Sequence, residues 1–228
     1  MRDFSDFEQL IGYTFKEKHR LQNALTHSSY ANEQHWKYER NNERLEFLGD
    51  AVLELISSDF LFHERAHDME GDMTKLRASL VCERSLAASA REIQMGKYIY
   101  LGKGEAATGG AERDSILSDA FEAVIGAIYL DGGLDAAREF VLRFVLSDIE
   151  DKKLFYDSKT ALQEMVQDKG SNTISYELVS QKGPDHAKIF EVNCVVAGAV
   201  QGTGSGRSKK AAEQNAAYEA IMKMRNKK

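Results

Sequence analysis

From Asp6 to about Ile149 the apolar residues recur at three- and four-residue spacing, the period of a helix with one face turned to a core. The pattern predicts helices over 6–10, 17–25, 41–63, 72–94, 113–130 and 134–148, punctuated by the pairs Gly109-Gly110 and Gly132-Gly133. A charged stretch, Asp148 to Asp157, follows, and beyond it the period changes. A helical run over 158–169 gives way to the alternations Ile174-Tyr176-Leu178 and Phe190-Val192-Cys194-Val196. The glycine-rich stretch Ala197–Gly206 reads as a turn region holding a short third strand, and a helix runs from Ser208 to about Met224. The expected fold is multidomain: an all-α domain over 1–148, a linker over 149–156 and an α-β-β-β-α domain over 157–226.

Charge sharpens this division. The 228 residues carry a net charge of −6, which argues against a nucleic-acid partner for the chain taken whole. Residues 1–153, however, hold 19 Lys and Arg against 28 Asp and Glu, while 154–228 hold 11 against 8, so an acidic body carries a basic tail. The two cysteines, Cys82 and Cys194, lie far apart with no metal-ligand partner nearby and read as small hydrophobes in a reducing compartment. No apolar run is long enough for a membrane span and the first residues lack a signal-peptide layout, so a cytoplasmic location is expected.

Within the acidic body, two helices stand out. Over 41–56 the residues Leu45, Leu48, Val52, Leu55 and Ile56 form an apolar stripe, and Glu43, Glu46 and Asp50 share the opposite face. Carboxylates on an amphipathic helix ordinarily just face water. Here Phe47 and Leu53 flank them, which calls for an apolar cover, and no Lys or Arg occurs from Leu45 through Glu64. The second helix, from Ser118 to Leu130, is apolar almost all round and so reads as buried. It carries Asp119 and Glu122 beside the small Ala123 and Gly126, with no Lys, Arg or His from Asp114 to Ala137. Buried carboxylates without a partner either hold protons or bind a cation. Such an oxygen-only set suits Mg²⁺, with Mn²⁺ as a substitute.

The run Asn42-Glu-Arg-Leu-Glu-Phe-Leu-Gly-Asp-Ala51 resembles the signature motif of the ribonuclease III family. Leu25-Thr-His-Ser-Ser-Tyr-Ala-Asn32, Glu70-Gly-Asp-Met-Thr-Lys-Leu-Arg-Ala78, Leu101-Gly-Lys-Gly-Glu105 and Ser115-Ile-Leu-Ser-Asp-Ala-Phe-Glu-Ala123 fit the family in order, and the resemblance covers essentially the whole chain. It implies an Mg²⁺-dependent endoribonuclease that hydrolyses double-stranded RNA to 5′-phosphate and 3′-hydroxyl ends, processing ribosomal and other structured transcripts. It also implies that Glu46, Asp119 and Glu122 hold the metal, that Asp50 and Glu122 act in catalysis, and that Glu43 and Glu70 line an acidic valley. Phe47 matches a residue that enters a socket on a second subunit, so the resemblance implies a homodimer. One departure is Glu112, where many relatives place a basic residue just before Arg113.

The tail resembles a double-stranded-RNA-binding domain. The resemblance places Gln163 and Glu164 against minor-groove 2′-hydroxyls and puts His186 in a second contact region, Gly183–Ala187. Lys209 and Lys210 stand in the first turn of the last helix, where the helix dipole disfavours cations, which points to phosphate as their partner. Leu162, Val166, Val192, Cys194, Ala212, Ala216 and Ile221 read as core. Other readings fare worse. His67-Asp68 lacks the further histidines of a metal phosphohydrolase, and Gly102-Lys-Gly-Glu105 lacks a P-loop ending, so no organic cofactor is expected. A non-catalytic RNA-binding relative is the remaining alternative, and loss of a metal-site carboxylate would favour it; none is lost.

Overall fold

In the computed structural model, residues 3–36, 40–147, 149, 158–167, 173–183, 188–206 and 208–225 are described. The chain divides into two compact units, Met1–Ser147 and Asp148–Lys228. Apart from Ile149, the charged stretch 148–157 lies outside the described residues.

The first unit is helical: α1 (Ser5–Ile11), α2 (Lys18–Ala24), α3 (Ser28–Glu33), α4 (Glu43–Glu64), α5 (Glu70–Leu80), α6 (Glu83–Glu92), α7 (Lys103–Ala107) and α8 (Asp114–Phe144), with single 3₁₀ turns at Met95–Lys97 and Gly110–Glu112. Its core gathers Phe7, Leu21, Leu53, Ile56, Leu86 and Phe121, all buried, around the packed pair α4 and α8. Helix α8 breaks at Gly133, whose φ of +83° and ψ of −175° fall where only glycine is comfortable. The two helices expected over 113–130 and 134–148 are therefore the two halves of α8, the second ending at Phe144.

Several local expectations need correcting. The single helix over 72–94 is two, because Cys82 is extended (φ −72°, ψ 154°) and begins α6 afresh. The break is satisfied by side chains: the Ser85 hydroxyl donates to the Ser79 carbonyl at 2.7 Å. On α4 the buried face is Val52, Leu53, Ile56 and Leu61. Leu53 thus belongs to the core rather than to the acid-bearing face, and Leu55, expected inside, is 56 % exposed. The helices α3 and α7 are too short to show a period and escape sequence reading.

The second unit consists of α9 (Ser158–Gln167), β1 (Ile174–Lys182), β2 (Ile189–Val196), β3 (Ala199–Gly206) and α10 (Lys209–Arg225). The strands form an antiparallel sheet in the order β1-β2-β3, with Tyr176 opposite Cys194 and Cys194 opposite Gly202. All seven residues read as core are buried, joined by Val196, Ala217 and Ala220. The third strand is eight residues long, not short. Its glycines are packing residues: a Cβ on Gly202 or Gly204 would strike the backbone of α10 at Ala216 and Ala220 or at Ala212 and Ala216. Glycine on the strand and alanine on the helix let the two backbones touch. No helix among the described residues is long and apolar enough to cross a membrane.

Candidate active site and RNA-binding face

Two glycines set the crossing of α4 and α8. A Cβ on Gly49 would overlap the carbonyl oxygen of Glu122, and one on Gly126 would overlap that of Leu45. Helix backbones this close bring the neighbouring turns face to face, Glu46 and Asp50 from α4 against Asp119 and Glu122 from α8. The electrostatics register that meeting. Burial, then Asp50, Glu46, Asp119 and Glu54, push the Glu122 carboxyl from an ordinary 4.5 up to about 8. Burial, then Asp119, Glu43 and Asp50, raise Glu46. Burial also raises Asp119; the Ser118 hydroxyl offsets part of this, Glu83 adds to it and His27 subtracts.

Several other carboxylates of this unit are satisfied, and the contrast is informative. Glu8 pairs with Lys18 at 2.6 Å and accepts from the Phe15 amide at 2.8 Å. Burial pushes Asp131 up, but the Lys16 and Glu17 amides and the Tyr13 hydroxyl, at 2.8, 2.9 and 2.9 Å, overcome it and hold its carboxyl below the ordinary range. Further along α4, Glu54 meets Arg77 at 2.9 Å and Asp59 meets Arg138 at 2.6 Å. Among the described residues, no lysine or arginine pairs with Glu43, Glu46, Asp50, Asp119 or Glu122.

The donor chemistry, four carboxylates without a lysine or arginine partner among the described residues, fits a hard divalent cation. The side chains do not yet close on one point: among the described residues, no three acidic, histidine or cysteine groups converge at ion-binding spacing. Unneutralised carboxylates repel one another, so they splay unless a cation draws them together. Exposed Glu43 opens the first turn of α4, its amide donating to Asn41 Oδ1 at 3.3 Å. Glu70 starts α5, exposed, accepting from the Thr74 hydroxyl at 2.9 Å, and it is not among the charges that raise the other carboxyls. Arg113 is bound to Glu105 and to Thr108, and the unusual acid at 112 faces Arg91 at 3.9 Å, a guanidinium it shares with Asp114. Phe47, beside Glu46, is 81 % exposed and lies on one side of α4 with exposed Leu55 and Phe62.

In the second unit, Gln163 and Glu164 are exposed on α9, between its buried Leu162 and Val166 in sequence and turned away from them. Lys209 and Lys210 are exposed in the first turn of α10, where the Ser208 hydroxyl accepts from the Ala211 amide at 3.1 Å. His186 lies outside the described residues. A cavity of about 400 Å³ opens beside Gln163, lined also by Lys159, Thr160, Gln167, Ile174 and Tyr176. Sequence reasoning missed the Gly49–Gly126 crossing, the approach of His27 and Glu83 to Asp119, and the inward use of Lys159. Only the first had a signal, a pair of glycines inside strongly helical runs.

A helical domain with an uncompensated acidic cluster, joined to an α-β-β-β-α domain with lysines at a helix N-terminus, has the architecture of a double-stranded-RNA nuclease. Residues 17–149 match the family model described as Ribonuclease-III-like, and residues 158–224 match the double-stranded RNA binding motif. The chain is 48 % identical to Ribonuclease 3 of Pelotomaculum thermopropionicum over 216 residues, covering 93 % of this chain and 90 % of that one. Ribonuclease 3 of Caldanaerobacter subterraneus is 48 % identical over 95 % of this chain and 96 % of its own. Among solved structures, the nuclease domain of the Campylobacter jejuni enzyme superposes with a TM-score of 0.59 at 48 % identity, covering 63 % of this chain and 96 % of that one. The chain belongs to the ribonuclease III family.

Proposed function

We propose that this endoribonuclease hydrolyses phosphodiester bonds of double-stranded RNA with Mg²⁺ held by Glu46, Asp119 and Glu122, leaving 5′-phosphate and 3′-hydroxyl ends. The observation that carries the metal reading is the meeting of four carboxylates from α4 and α8, three of them half-buried, with no lysine or arginine paired to them among the described residues. The bound ion supplies Lewis acidity, acidifying water and neutralising charge at the phosphate. The protein's own part is placement. The Gly49–Gly126 crossing fixes the four carboxylates on two rigid helices. Asp50 is the remaining acid of the set, and its role in this reading is to orient a water or hold its proton. Glu43 and Glu70 extend the acidic lining, while Gln163, Glu164, His186, Lys209 and Lys210 grip the duplex by its A-form shape.

The catalytic domain is assigned to 1–148, the linker to 149–156 and the RNA-binding domain to 157–226. The enzyme is read as cytoplasmic, maturing ribosomal RNA and other structured transcripts. Incubating a long synthetic duplex RNA with and without Mg²⁺, then analysing the product ends, tests the reading. Mg²⁺-dependent cutting to 5′-phosphate ends is expected, and duplex binding without cleavage at any Mg²⁺ or Mn²⁺ concentration would favour the non-catalytic alternative.

The exposed stripe of Phe47, Leu55 and Phe62 supports a homodimer, since a monomer would leave an aromatic ring almost wholly in water. Phe47→Asp should shift the protein from dimer to monomer in light scattering. An unchanged mass would remove Phe47 from the interface.

A further inference from the structure

Lys159 is a cation in a domain that meets RNA, yet its bonds point inward. Its ammonium lies 2.5 Å from Glu213 Oε2 and 4.5 Å from the centre of the Tyr176 ring, and its amide donates to Gln214 Oε1 at 3.0 Å. The side chain is about one-third exposed, and that of Glu213 one-quarter. One residue at the start of α9 thus engages α10 through two side chains and β1 through a third. The positions of its partners matter. Gln163 and Glu164 follow Lys159 by about one helical turn on α9, and Glu213 and Gln214 follow Lys209 and Lys210 by about one turn on α10.

We propose that Lys159 is a positioning residue that fixes α9 against α10, so that Gln163 and Glu164 stand at the set distance from Lys209 and Lys210 that an A-form duplex demands. The inference rests on the reading of those four residues as the RNA-contacting set. Double-stranded RNA offers a wide minor groove and a deep, narrow major groove bounded by phosphates, and a protein recognises it by matching that fixed geometry. Two contact helices free to splay would still attract phosphate but would select poorly for A-form. The ammonium of Lys159 is already bound to a carboxylate and lies over an aromatic face. It therefore releases no counterion when RNA binds.

The test uses the full chain in EDTA, so that no cleavage occurs, with duplex RNA and duplex DNA of one sequence across a salt series. Lys159→Met keeps the stem and removes the charge. It should weaken RNA binding on the order of tenfold while leaving DNA binding and the salt slope unchanged, because selection by shape is lost and no phosphate contact is. Lys159→Arg should restore most of the affinity. Glu213→Gln is the second variant and needs no change in the lysine. Removing an acid would by simple attraction tighten RNA binding, whereas loss of the clamp weakens it with the same fall in RNA-over-DNA selectivity. A salt slope reduced by about one in Lys159→Met would make Lys159 a phosphate contact and overturn the proposal. Unchanged selectivity in Glu213→Gln, or equal loss on both duplexes as from partial unfolding, would also overturn it. Failure of the underlying reading looks different: Lys209→Ala with Lys210→Ala would then leave both affinity and slope as in the parent.

Discussion

Gly49→Ala is expected to destabilise the helical domain by about 1–3 kcal/mol, the usual range for overfilling a packed site, and to lower cleavage beyond the share of unfolded protein. The sign is informative because intrinsic propensity argues the other way: alanine favours a helix interior over glycine by about 1 kcal/mol. Here the added Cβ would fall on the Glu122 carbonyl oxygen and within 3.0 Å of the Gly126 amide nitrogen. Both are backbone atoms of a buried helix, with no flexible end to swing aside. The helices must part, and parting them separates Glu46 and Asp50 from Asp119 and Glu122. Gly71→Ala in α5 is the matched control, since a Cβ there meets nothing within 4 Å; it should be neutral or mildly stabilising. Melting temperatures and duplex cleavage by the three proteins check this. A Gly49→Ala protein as stable and active as the Gly71→Ala control would show that the crossing has room.

The acidic cluster was legible from an absence. An amphipathic helix and an almost wholly apolar one carry carboxylates, and neither Lys nor Arg from Leu45 to Glu64, nor Lys, Arg or His from Asp114 to Ala137, occurs to balance them. Burial of the second helix followed from its all-round apolarity, although the role of Gly49 as the contact with Gly126 on that helix did not. Periodicity misled where it carried across a chain break: Leu80, Val81 and Cys82 continue the apolar pattern, and only the extended backbone of Cys82 divides α5 from α6. It also placed Leu53 and Leu55 on the wrong sides of α4, because a helix wheel gives relative angles but not which neighbour covers which arc. The glycines of β3 carried a true signal with the wrong cause, since close strand–helix contact and a turn both select glycine. Ties between distant residues, such as Lys159 to Glu213 or Arg138 to Asp59, leave no local pattern at all.

Glu122→Gln is expected to leave the fold, the oligomeric state and duplex binding intact while lowering cleavage on the order of a hundredfold or more, the effect of losing several kcal/mol of charge stabilisation at the phosphate. Glutamine keeps the shape and one oxygen but cannot supply the negative charge. Raising Mg²⁺ or Mn²⁺ should recover part of the rate, because mass action refills a weakened site. A merely structural Glu122 predicts the opposite, lower stability with cleavage per folded molecule nearly unchanged. The metal-free protein offers an independent readout. In the unfolded chain Glu122 gives up its proton near 4.5, while in the fold it keeps it to about 8. Between those values the folded state binds more protons, so Glu122 makes stability fall as pH rises through this window. Glutamine has no proton to lose and removes that fall. In EDTA the melting temperature of Glu122→Gln should therefore gain on the parent progressively from about pH 5 to pH 8, and added Mg²⁺ should narrow the gap by stabilising the parent more. Parent-like cleavage by folded Glu122→Gln would sink the metal-site assignment, and a melting-temperature difference that does not grow with pH would show that the cluster is already neutralised within the protein.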